Sequence, residues 1–118
     1  MAEPSITVVL DCADADALAP FWSAVLGYGP GHRVTQFVVM SPPPSDPRPT
    51  LILQEVPEPK VVKNRSHMDL HVADVEATRA RFMDLGAAMV DPKQRCIGDY
   101  CWYVMADPEG NEFCLAPA

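Results

Sequence analysis

The sequence has no apolar run approaching the roughly 20 residues that a membrane-spanning helix needs. Its N-terminus, Met1-Ala2-Glu3-Pro4, lacks the basic stretch followed by an apolar one that marks an export signal. A cytoplasmic protein with no membrane partner is the expectation. Basic residues are also scarce: nine Lys and Arg stand against sixteen Asp and Glu, giving a formal charge of −7. Nucleic-acid affinity rests largely on Lys and Arg displacing counterions, so no nucleic-acid partner is expected. Phosphate-cradling glycine loops, nucleophile elbows and dinucleotide fingerprints do not occur, which argues against nucleotide cofactors. The four cysteines, Cys12, Cys96, Cys101 and Cys114, fall in no Cys-x-x-Cys spacing. Without an export signal they are expected to be reduced and mostly buried.

What the chain does contain is an internal echo. Asp11-Cys12-Ala13-Asp14, a helix-like run and Leu26-Gly27 are followed 60 residues on, from Asp14 to Asp74, by His71-Val72-Ala73-Asp74, a second helix-like run and Leu85-Gly86. A period of about half the chain marks a duplicated module rather than a solenoid of short units. At 118 residues and 48% hydrophobic, the two copies make one domain with a real core. We place module one at residues 5–56, a linker at 57–65 and module two at 66–118.

Prolines punctuate the halves. Pro42-Pro43-Pro44, Pro47 and Pro49 separate strand-like runs at residues 33–40 and 50–56, so the segment between them reads as an exposed loop. Pro57-Glu58-Pro59-Lys60 and the basic Lys63-Asn64-Arg65 read as an extended linker. In module one, residues 6–11 are strand-like, and Asp14 or Asp16 can cap the following helix; capping by Asp16 would put Pro20 in the first turn, where a missing N–H costs little. Leu18, Phe21, Trp22, Val25 and Leu26 recur at helical spacing, which makes Trp22 a core residue. In module two Asp74 caps, Glu76 adds charge at the positive helix end, Val75, Phe82 and Leu85 supply apolar positions, and Gly86 ends the best-signalled helix of the chain. Apolar runs at 87–90, 100–105 and 112–116 follow, the last two joined by the turn Asp107-Pro108-Glu109-Gly110-Asn111. Each module is therefore β-α-β-β-β, an α+β fold.

The doubled plan, the strand ending Val72-Ala73-Asp74, the Phe21-Trp22 pair before Leu26-Gly27, the segment from Lys63 to Leu70 and the closing Asp107-Pro108-Glu109-Gly110-Asn111-Glu112-Phe113 resemble the vicinal oxygen chelate superfamily, and within it the small bacterial glyoxalase-like domains. The resemblance spans nearly the whole chain. It implies two tandem βαβββ modules forming a cupped, mostly antiparallel sheet with helices outside, and a homodimer. It also implies a kinship with glyoxalases, dioxygenases and bleomycin-resistance-like binding proteins. Superfamily members that use a metal place one ligand on the first and one on the last strand of each module. Carried over, those positions are Thr7, Ile52 or its same-face neighbour Gln54, His67 and Cys114. Thr and Ile are poor or impossible donors, so no metal cofactor is expected, with His67 and Cys114 as residual candidates. Asp69, on the same strand face as His67, could complete a divalent site. His71 lies roughly 13 Å from His67 along an extended strand and could not.

Alternation phases the walls. If His67 faces a cavity, so do Asp69 and His71, while Met68, Leu70 and Val72 pack; in module one Thr7, Val9 and Asp11 face inward and Ile6, Val8 and Leu10 pack. Of the aromatics Tyr100, Trp102 and Tyr103, at least one ring borders the cavity. His32, after a Gly-Pro-Gly turn, is exposed. The ligand-binding candidates are thus Thr7, Asp11, Gln54, His67, Asp69, His71, Tyr103 and Cys114. Two functions follow. One is capture of a small organic ligand without metal. The other is a lyase or isomerase with an unusual metal site or with His67 and Asp69 as acid and base. Covalent catalysis by Cys101 or Cys114 is not expected, since buried apolar cysteine is the commoner case.

Overall fold

Val8 and Leu10 are half-covered, Cys12 is buried, and Val9 and Asp11 stay exposed along β1 (Val8–Cys12), the period-two signature of a strand with one packed face. The computed structural model describes residues 4–118 and divides into two units, Met1–Pro59 and Lys60–Ala118. Ile6, expected to pack, precedes the strand and is 76% exposed. The helix α1 (Ala15–Leu26) starts at Asp14, whose carboxylate accepts from the Ala17 N–H at 3.1 Å, and ends at Gly27 with φ 69°. Because Asp14 and not Asp16 caps, Pro20 lies inside the helix at an exposed position and removes one helical hydrogen bond. Leu18, Phe21 and Trp22 are buried, the two rings meeting edge to face at 5.2 Å.

Residues 33–40 form a hairpin and not one strand. The strands β2 (His32–Val34) and β3 (Phe37–Met40) pair antiparallel about Thr35-Gln36, where Thr35 takes φ 51°. That turn carries none of the Gly, Pro, Asn or Asp residues by which turns are read, so it has no local signature. The sheet closes with β4 (Leu51–Glu55) in the order β1-β4-β3-β2, with β1 and β4 parallel. Val38, Met40, Leu51 and Leu53 are buried, and α1 packs over β3 and β4. Arg33 fastens this arrangement: its guanidinium meets both Glu55 oxygens at 2.9 and 3.1 Å and Asp16 at 2.9 Å, while Glu55 also accepts the Ala15 N–H at 2.9 Å. The Arg33 contact and that N–H hold the Glu55 carboxyl below its ordinary range. The proline-rich loop is mostly exposed, and Tyr28, buried, donates its hydroxyl to the Pro49 carbonyl at 2.6 Å.

The second unit repeats the plan as β5 (Asp69–Val72), α2 (Val75–Leu85), β6 (Ala88–Met89), β7 (Arg95–Ile97), β8 (Tyr100–Ala106) and β9 (Glu112–Pro117). Its sheet runs β5-β9-β8-β6, with β5 and β9 parallel, and β7 pairs with the opposite end of β8. One edge is thus shared by two short strands, separated by a stretch containing Pro92, and the polar Arg95-Cys96-Ile97 piece was not legible as a strand. Helix α2 has the expected caps, with Asp74 accepting from Ala77 N–H at 3.0 Å and Gly86 at φ 117°. Its packing is thinner than its local chemistry implied: Phe82 is buried against Phe113, but Leu85 is 36% exposed. The linker's second half is attached to this unit through Glu112, which meets Lys60 Nζ at 2.9 Å and accepts the Asn64 N–H at 2.9 Å. No helix among the described residues is long and apolar enough to cross a membrane.

Cys96 and Cys101 are joined in a disulfide, correcting the expectation of four reduced thiols. They stand directly opposite one another across the two-residue turn Gly98-Asp99, with Cα atoms 4.1 Å apart, so the hairpin register sets the pairing without any cysteine motif. Cys12 and Cys114 lie outside it and are buried, as expected. Non-reducing peptide mapping should recover the Cys96–Cys101 link, and reducing it should lower unfolding free energy by about 2 kcal/mol, the chain-entropy value for a loop this short. Recovery of free Cys96 from air-exposed native protein would contradict the pairing.

The β8–β9 turn is organised by Asp107, 3% exposed, whose carboxylate accepts from Glu109 N–H at 2.8 Å, Asn111 N–H at 2.9 Å and Asn111 Nδ2 at 3.0 Å. Substituting Asp107→Ala orphans these donors and should cost on the order of 3 kcal/mol, read as a lowered urea midpoint. An unchanged midpoint would show that the turn holds without its carboxylate.

Candidate functional site

The two parallel strand pairs are in the same register. Val9 faces Ile52 in module one, and at the equivalent place, five residues before the capping aspartate, Asp69 faces Cys114 in module two. His67 stands two residues upstream on the same face as Asp69, where module one has Thr7. The same backbone position therefore carries Thr, Val and Ile in one copy and His, Asp and Cys in the other. The His67 Nε2 is 3.2 Å from Asp69 Oδ1, and the three potential ligand atoms of His67, Asp69 and Cys114 lie within 4.8 Å of one another. Burial pushes the Cys114 thiol up from its ordinary range, and the charge of Asp69 and its hydrogen bond push the same way. Cys114 is a protonated thiol donor to Asp69 at neutral pH, not a nucleophile.

This cluster sits at the polar end of a cavity of about 500 Å³ built within module two. Lys63 and Arg95 also line it, and Tyr100, Trp102 and Val104 supply apolar surface. The Tyr100 and Trp102 rings are 5.9 Å apart and inclined by 38°. Both reach the cavity because Val104 is the register partner of Cys114 on β9, so Trp102 and Tyr100, two and four residues earlier on β8, share the Cys114 face.

Not every candidate joins this group. Tyr103 is turned to the other face, where its hydroxyl donates to Glu76 Oε2 at 2.6 Å and Arg79 lies over its ring at 5.0 Å. These contacts hold the Glu76 carboxyl below its ordinary range, Tyr103 being the larger cause. Tyr103 is therefore withdrawn as a cavity residue in favour of Trp102 and Tyr100. His71 keeps the His67 face but does not line the cavity; its Nδ1 is 3.1 Å from the Pro117 carbonyl oxygen. Thr7, Asp11 and Gln54 belong to module one, where Asp11 and Gln54 are register partners. The module-one hollow of about 450 Å³ lies instead at Asp16, Ser23, His32 and Arg33 and includes none of those three. Lys63 and Arg95 were missed by the sequence reading, because a lone cation in a linker or on an unrecognised strand carries no signal of the face it joins.

The donor set bears on a metal. One imidazole nitrogen, one carboxylate oxygen and one sulfur suit a four-coordinate ion of zinc type with one position open. Asp69 thus adds a third donor to the pair His67 and Cys114, and all three come from one module. Binding would require Cys114 to lose its proton, which its burial opposes, so affinity would fall as pH falls.

Alkylation followed by peptide mapping tests the Asp69–Cys114 contact. Cys114 should resist iodoacetamide in native protein at neutral pH and label only above the ordinary thiol range. Asp69→Asn removes a charge that raises the thiol pKa, so labelling should begin at lower pH in that variant. An identical onset in both proteins would contradict the contact.

Comparison with known proteins agrees with the fold. A glyoxalase-like domain family model matches residues 7–116. A protein from Agrobacterium tumefaciens solved by NMR has a TM-score of 0.77 at 21% identity, covering 99% of this chain and 98% of that one. A glyoxalase/bleomycin resistance protein/dioxygenase family enzyme from Burkholderia phytofirmans gives 0.74 at 16% identity, over 94% and 95%. The fosfomycin resistance protein FosX from Listeria monocytogenes, crystallised with Mn(II) and sulfate, gives 0.76 at 13% identity, over 100% and 92%. No curated protein matches the sequence. The family-model match over nearly the whole chain, on a doubled βαβββ fold, places the chain in the glyoxalase-like domain family of the vicinal oxygen chelate superfamily.

Proposed function

We propose that this protein binds a small organic ligand in the module-two cavity and does so without a metal. The observation that carries the reading is the composition of that cavity, in which the aromatic rings of Tyr100 and Trp102 share one sheet face with the polar His67, Asp69 and Cys114 within one unit. A volume of about 500 Å³ lies in the range of small-molecule sites, and a mostly apolar lining with a few convergent polar groups is their usual chemistry. The metal positions of the superfamily support the same reading in module one, where Thr7, Ile52 and Gln54 offer little to an ion. We take the working unit to be a homodimer with no nucleic-acid partner, a view supported by the superfamily's habit and by the formal charge of −7.

A second reading, a metal-dependent lyase or isomerase, is favoured by one observation: the His67, Asp69 and Cys114 donors converge. An ion held there would supply Lewis acidity. The alternative to an ion is acid–base chemistry by the same pair, in which His67, its Nε2 3.2 Å from Asp69 Oδ1, would accept or return a proton.

Two measurements separate the readings. Fragment screening by ¹H–¹⁵N NMR in the presence of EDTA should find ligands whose shifts concentrate on β8, β9 and residues 63–69. Hits confined to module one, or no hits, would overturn the binding reading. Addition of cobalt(II) to chelator-free protein should leave the spectrum without thiolate-to-cobalt charge transfer; a band that disappears in Cys114→Ser would establish the metal reading instead.

A further inference from the structure

The module-two cavity is lined by equal numbers of cations and carboxylates in a protein of formal charge −7, and the two signs differ in how firmly they are held. Four formally charged side chains line it: Lys63, Arg95, Asp69 and Glu112. The two carboxylates are already engaged. Glu112 meets Lys60 Nζ at 2.9 Å and accepts the Asn64 N–H at 2.9 Å, and these contacts keep it ionised. Asp69 faces His67 at 3.2 Å and takes the Cys114 hydrogen bond. The two cations are held loosely by comparison: Arg95 Nε is 3.9 Å from the Asp91 carboxylate, and Lys63 Nζ reaches a backbone carbonyl, that of Asn64, at 3.4 Å.

Beside this polar end stand apolar groups with no evident reason to meet water. Tyr100 is 45% exposed, Val90 47% and Ile97 76%, and all three border the cavity next to Trp102. The Cys96–Cys101 disulfide lies between them in the hairpin and fixes the strands that carry Arg95, Ile97, Tyr100 and Trp102. A cation and an aromatic face are therefore presented together on a stapled support.

We infer that the ligand of this cavity is a planar aromatic carboxylate, its ring against Trp102 and Tyr100 and its carboxylate between Lys63 and Arg95. The inference rests on the binding reading above and narrows it. A flat apolar body covers the exposed aromatic wall, and an anion supplies the counter-charge that the protein itself leaves at 3.9 Å from Arg95. The guanidinium fork suits a carboxylate in particular, because two parallel N–H···O bonds can form. A neutral aromatic would leave both cations without that partner, and a cationic one would be repelled by them.

The test compares 2-naphthoate with its neutral counterpart 2-naphthylmethanol, using the full chain in EDTA and following amide shifts by NMR. Naphthoate should shift β7, β8 and β9 resonances and bind about tenfold more tightly than the alcohol, a ratio appropriate to one charge-assisted contact. Arg95→Ala and, separately, Lys63→Ala should each weaken naphthoate more than they weaken the alcohol, lowering the tenfold ratio between the two probes. Because Lys63 lies outside every strand, its variant tests the charge without disturbing the sheet. Added salt should weaken naphthoate alone. Equal affinity for the two probes would overturn the carboxylate assignment and leave the cavity a binding site. Shifts from neither probe would overturn both.

Discussion

The parallel pairing of the first and last strands within each module is the constraint on which the rest depends. In β1 with β4, and again in β5 with β9, two strands distant in sequence are placed side by side in one fixed register. Side chains alternate across a sheet, so this register decides which residues of each strand share a face, and a slip by one would send every one of them to the other side. The helix over the opposite face then secures the choice. Leu18, Phe21 and Trp22 do this in module one, and Phe82 against Phe113 does it in module two.

Duplication makes the chemistry legible by contrast. Identical registers hold Val9 against Ile52 in one copy and Asp69 against Cys114 in the other, so the difference between the modules is one of residue type on a common frame. Module two adds a further departure: its edge strand is divided into β6 and β7, and the second piece is stapled to β8 by a disulfide. Arg95 and Ile97 reach the cavity on β7, the hairpin partner of β8 as β2 is of β3.

The sequence was most readable where local chemistry and tertiary structure agree. Asp74 and Gly86 mark helix ends whatever surrounds them, and the Asp107-to-Asn111 turn is organised by its own side chains. The doubled plan was legible for the same reason. The choice of Asp14 over Asp16 was not, because both carboxylates can cap and burial of Leu18 and Trp22 decides between them. The turn at Thr35 and the strand at Arg95 carry no local signature, being imposed by pairing with β3 and β8. The site was legible in part. His67, Asp69 and Cys114 follow from alternation and the repeat. The phase of β8 needed the partner register: Val104 opposite Cys114 puts Trp102 in the cavity and Tyr103 against the helix. The disulfide had the same origin, since five residues of separation mean nothing until a two-residue turn opposes the cysteines.

Module two's sheet face is where we propose that a ligand is held. Intermolecular nuclear Overhauser effects between a bound aromatic ligand and assigned side-chain protons test this most directly, because they report contact and not induced change. Effects to the Trp102 indole and the Tyr100 ring, which border the cavity on the Cys114 face, are the predicted result. Effects to Val9 and Ile52 in the absence of any to Trp102 would contradict it and move the function to the other copy.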